Sequence, residues 1–159
     1  MDKLQDLLKS SHLLAQIIEN TLNVRVDYKP DSLLGIEKAI DRVYPVRHEP
    51  MFSTIISYGI YLGEVFVRNH PGAHWGSYRQ DIMQLEFQMT NGERSFIGYP
   101  LKRVYKFWYD RTQRLSTYYQ MNIDVLEGRI QPELGDEWKD HKGQYQYRFP
   151  GGIVSTKPK

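Results

Sequence analysis

Four side chains within the stretch SYGIYLGEVFVRNHPGAHW (57–75) have the makings of a reaction centre: Glu64, Arg68, His70 and His74. A carboxylate and an imidazole can exchange protons near neutral pH, a guanidinium can hold an anion, and two histidines beside an acid can ligate a metal. These four are the candidate catalytic residues of a hydrolase-like or metal-dependent enzyme. Their spacing also admits a plainer reading. Glu64 and Arg68 stand four apart in the favourable order for a helical ion pair, so the acid reads as an anchor neutralised within its own helix. His70 and His74 are also four apart, but Pro71 and Gly72 intervene and prevent a shared helical face. His48-Glu49 starts like the zinc motif H-E-x-x-H, yet Phe52 stands where the second histidine belongs. No cysteine is present, which removes thiol nucleophiles, zinc–thiolate sites and disulfides together. The balance is therefore against an enzyme, and we expect no cofactor and no metal.

A second set of residues is suited to binding. The run YPLKRVYKFWYDRTQRLSTYYQ (99–120) interleaves Lys102, Arg103, Lys106, Arg111 and Arg114 with aromatic rings. Stacking platforms for single-stranded nucleic acid are built this way, and so is any helix with an aromatic buried stripe and a solvated basic face. The net charge of only +2 favours the second reading and argues against nucleic acid. Tyr61, Trp75, Arg103, Trp108 and Tyr109 are the candidate binding residues, for a protein partner or a second copy of the chain. Twelve tyrosines, large in contact area and polar at the tip, suit such a surface.

These residues need elements to hold them. Leu4, Leu7, Leu8, Leu14, Ile17 and Ile18 predict an amphipathic helix over about the first twenty residues, ended by Asn20 and Asn23. VRVDY (24–28) reads as a short strand. Pro30-Asp31-Ser32 predicts a helix start, with Asp31 and Ser32 accepting orphan N–H groups and Leu33, Ile36, Ile40, Val43 and Tyr44 inward. A loop spans Pro45 to Pro50. The next helix, about 51–69, is apolar around almost its whole circumference, which predicts a buried central position. Within it, Gly59 and Gly63 suggest close packing against another backbone. Met83, Leu85, Phe87 and Met89 alternate with polar residues, and Asn91-Gly92 predicts a hairpin turn. A two-residue turn pairs Thr90 with Glu93, sets Phe87 opposite Phe96 on the core face, and puts Ile97 opposite Glu86. Helices follow from Pro100 (Leu101, Val104, Tyr105 and Trp108 inward) and from Leu115 (Tyr118, Tyr119, Ile123 and Leu126 inward). Beyond Gly128 the pattern dissolves, apart from an expected edge strand YQYRF (145–149).

The segments VDYKPDSLLGIEKAID and GIYLGEVFVRNHPGAHW, followed by the strand pair and YPLKRVYKFW, resemble a group of small bacterial proteins. The shared pattern is an acid-Tyr-x-x-x-Ser-Leu helix start, a G-x-Y-L-G-E helix and a terminal Gly-x-x-Trp, over roughly residues 24–120. The resemblance implies an α+β domain and brings no established activity. By analogy it suggests immunity- or regulator-type proteins of bacterial competition systems.

The expectation is thus an α+β fold: helices packed on a small antiparallel sheet (hairpin about 82–99), with a buried central helix at about 51–69. Residues 1–128 form the domain and 129–159 an irregular, partly mobile extension. With acids in its first residues and no long apolar run, the chain carries no predicted signal peptide or membrane span and is expected in the cytoplasm. Its expected role is non-catalytic protein binding; the alternatives are the enzyme built on Glu64, His70 and His74, and a nucleic-acid module.

Overall fold

The computed structural model describes residues 3–46, 48–79, 82–88, 94–130, 137–139 and 145–156. They form an α+β fold of five helices and one antiparallel sheet. The helices are α1 (Lys3–Leu22), α2 (Ser32–Val43), α3 (Phe52–Asn69), α4 (Pro100–Tyr109) and α5 (Leu115–Leu126). The strands are β1 (Ala73–Arg79), β2 (Ile82–Gln88), β3 (Arg94–Gly98), β4 (Glu137–Lys139), β5 (Tyr145–Phe149) and β6 (Gly152–Thr156), in the order β1-β2-β3-β6-β5-β4.

The central helix is as its composition requires. Every residue from Tyr58 to Phe66 is buried, with α1 and α4 against it and β1 beyond its end. Its two glycines meet different neighbours. A side chain at Gly59 would run into Leu101 of α4, backbone included, as expected. One at Gly63 would overlap the indole of Trp75 on β1, so here a ring rather than a backbone fills the space.

Around α3 the boundaries hold better than the inward faces. On α1 the buried line runs through Ser11, Ala15 and Ile18, while Leu13 and Ile17 are exposed. Small residues let α1 approach α3 closely, and the Ser11 hydroxyl donates to the Ser57 carbonyl at 2.8 Å. On α2 the expected Val43 is exposed and Glu37 is buried instead. The Asp31 side chain makes no cap hydrogen bond; Ser32 Oγ bonds the Lys29 carbonyl at 2.6 Å. On α4 Tyr105 is exposed, and Arg103 and Phe107 are buried. On α5 Leu115 and the expected Tyr118, Tyr119, Ile123 and Leu126 are all buried.

VRVDY is not a strand. Asn23 and Tyr28 both take positive φ (51° and 61°), and the Tyr28 N–H donates to the Tyr61 hydroxyl at 3.1 Å instead of to a ladder. The hairpin register is as expected, with Phe87 opposite Phe96, their rings stacked, and Glu86 opposite Ile97. The Asn91-Gly92 turn and the Thr90–Glu93 pair lie outside the described residues.

The expected irregular extension is corrected. Residues beyond Gly128 supply three strands, and β6 pairs antiparallel with β3, Val154 lying buried opposite Phe96. YQYRF is therefore an inner strand, between β6 and β4. Short strands interrupted by Gly and Pro carry little periodicity, so the pairing was hidden until β3 offered its edge. Gly152 enables it: at φ 155° it lies so close to Ile97 that any Cβ would overlap the Ile97 carbonyl.

Candidate functional site

The four candidate catalytic residues do not form one cluster: Glu64 and Arg68 pair with each other, while His70 and His74 each meet a different partner. Glu64, 8% exposed, faces Arg68 at 3.6 Å on the next turn of α3. Burial pushes the Glu64 carboxyl above its ordinary value, and Arg68 pulls it back only in part. The Arg68 guanidinium lies 3.7 Å from the centre of the Tyr28 ring, which stacks on Tyr61. The Tyr61 hydroxyl is in turn bonded to Ser32 Oγ at 2.7 Å. The pair thus closes a layer that ties the 23–31 segment to α3. The expected anchor geometry is present.

His70 ends α3 and bonds the Tyr119 hydroxyl of α5, with Glu127 at 4.0 Å. Burial lowers the imidazole from its ordinary value, and the charge of Arg129 lowers it further. His74 sits on β1 and meets Glu86 of β2 at 3.0 Å. Among the described residues no three His, Asp or Glu side chains converge on a point where a metal ion could sit.

The candidate binding residues divide sharply. Tyr61 and Trp108 are buried, Trp108 donating its indole N–H to the His48 carbonyl at 2.7 Å, so neither offers a surface. Trp75 is half-buried, wedged against Gly63. Arg103 is buried too: it donates to Gln113 at 2.7 Å and to the Pro150 carbonyl at 3.0 Å, with its guanidinium over the Tyr118 ring. Arg103 is a tie between α4, the loop to α5 and the β5–β6 turn, which an isolated α4 sequence could not reveal. Only Tyr109 remains outward, edge-on to Tyr105.

What α4 does border is a cleft of about 630 Å³ between its exposed face, the start of α3, β2 and the β5–β6 turn. Its apolar walls include Phe52, Ile55, Met83, Leu101 and Ile153. Lys102, Arg103, Lys106 and Arg148 bring positive charge to it, and no described carboxylate lines it. Burial, with Arg103 and Lys102 nearby, depresses the Lys106 ammonium. Of the lining residues, Phe52 and Tyr105 are exposed at the mouth, and so are Met51, next to Phe52 in the chain, and Tyr109, edge-on to Tyr105. The sequence signalled the α4 lysines through their spacing; the wall from β6 was hidden with the strand itself.

A buried acid escaped the sequence reading altogether. Glu37, on α2, accepts the Ser116 N–H at 2.7 Å and the Ser116 hydroxyl at 2.8 Å, with Arg114 at 3.6 Å. A carboxylate from one helix thereby caps the N-terminus of another, α5. Its role is structural.

No family model matches the chain, and none of the curated proteins or solved structures compared with it matches either. Among the described residues no helix is long and apolar enough to cross a membrane.

Proposed function

We propose that the chain is a non-catalytic protein-binding domain of the immunity or regulator type, working in the bacterial cytoplasm. The observation that carries this reading is the exposed apolar strip Met51, Phe52, Tyr105 and Tyr109. Met51 is 71% exposed, Phe52 58% and Tyr105 51%. Large side chains grouped at a cleft mouth are the usual anchor of a protein interface, where scattered ones would mean nothing. The dispersal of Glu64, His70 and His74 among separate partners supports the same side, since acid–base catalysis needs its groups within reach of one reacting atom.

The matching partner presents apolar side chains to this strip. Affinity purification from the native host tests the reading, with the wild type beside Phe52→Ala/Tyr105→Ala and a control, Leu13→Ala/Ile17→Ala, on exposed α1 positions. A protein retained by the wild type and the control but lost by the strip variant is the expected result. Retention of the same proteins by all three would overturn it. A second copy of this chain would instead show as a dimer in sedimentation that the strip variant dissociates.

A further inference from the structure

We propose that the cleft beside α4 is a binding site for a small organic anion with an apolar body, of the alkyl- or aryl-carboxylate class. This goes beyond the protein-binding reading and does not rest on it. The size suits such a ligand: about 630 Å³ falls within the roughly 300–1,000 Å³ of small-molecule sites. The walls select the body. Ile55, Met83, Leu101 and Ile153 come from four different elements and face the same space, so an aliphatic or aromatic group entering it leaves water on several sides at once.

The charge selects the end group. Lys102, Arg103 and Lys106 follow one another along one helix, and Arg148 lines the cleft from β5. Among the described residues the side chains of Lys102 and Lys106 make no ion pair and no hydrogen bond, unlike Arg111 and Arg114, which are met by acids of α2. Burial first, and then the charges of Arg103 and Lys102, depress the Lys106 ammonium, and a bound anion would offset the like charges. Arg103 is held in place by Gln113, the Pro150 carbonyl and the Tyr118 ring, so its charge is positioned before any ligand arrives. A cation or a divalent metal has no carboxylate to meet here among the described residues.

Isothermal titration of the purified full chain at low salt tests this, with octanoate, octan-1-ol and acetate as probes. Octanoate should bind saturably, one per chain, and more weakly as salt rises. Octan-1-ol, lacking the charge, and acetate, lacking the body, should each bind at least roughly tenfold more weakly. Lys102→Gln/Lys106→Gln, at two exposed positions, should weaken octanoate by roughly tenfold with an unchanged melting temperature. The proposal fails if octanoate does not saturate, if octan-1-ol equals it, or if the lysine variant binds undiminished. No partner protein is present in this titration, so its failure leaves the capture experiment standing, and the reverse holds as well.

Discussion

Glu64 is a charge that its surroundings tolerate more than reward. The pair with Arg68 is formed, yet the carboxyl titrates above its ordinary value because burial outweighs the attraction. The sign of the pH dependence follows. A group whose folded-state value is raised contributes most below the unfolded value, near 4.5, and loses that contribution as pH rises through the folded one. Glu64→Gln should therefore leave stability at neutral pH equal or slightly higher, and remove a downward slope in melting temperature that sets in as pH rises past 4.5, the unfolded value. Arg68→Met should cost about 1 kcal/mol or more, from the lost Tyr28 contact and the stranded acid. In the Glu64→Gln background that cost should shrink; thermal melts of all three variants give the coupling, and additive costs would mean that the two groups do not interact. The pair itself was legible in the sequence, because four-residue spacing on a helix fixes a neighbour. The sign was not, since it depends on how deeply the neighbouring elements bury the acid. His70 and His74 were illegible for a related reason: four residues apart, one ends α3 and the other enters β1, where they meet Tyr119 and Glu86.

At the scale of elements, helices were read correctly and their faces less so. Periodicity locates a helix, but large side chains dominate the count: Leu4, Leu7, Leu8, Leu14 and Ile18 of α1 do pack on the core, whereas Ile17 is exposed and the small Ser11 and Ala15 are buried without a signal. The β2–β3 register was legible to the residue because alternation and turn length together leave no freedom. The contact between α3 and β1 is sharper than sequence could suggest. Gly63→Ala should destabilise by about 1–3 kcal/mol, since its Cβ would overlap a ring rather than a flexible chain. Trp75→Leu removes that ring, so the double variant should lose less than the two single ones together. Equal losses, measured by denaturant titration, would show that Trp75 can swing away.

For the whole molecule, the sheet is built from two runs of chain that meet only at β3 and β6. Neither run closes the core alone: Phe96 and Val154 face each other at the seam, both fully or almost fully buried. A chain truncated after Gly128 should therefore present the β3 edge and associate or precipitate, where the full chain stays dispersed. Light scattering of the two proteins at equal concentration checks this; a well-behaved truncated monomer would make β4–β6 an accessory. The seam also sets a clock for biosynthesis. The ribosome must add residues 99–156 after β3 is made, on the order of 3–12 s at the usual pace of translation. Hydrophobic collapse of the earlier helices takes under about 100 μs. For those seconds the nascent chain carries an unzipped β3 edge that waits for the residues of β6, and in that interval the edge is open to pairing with another chain.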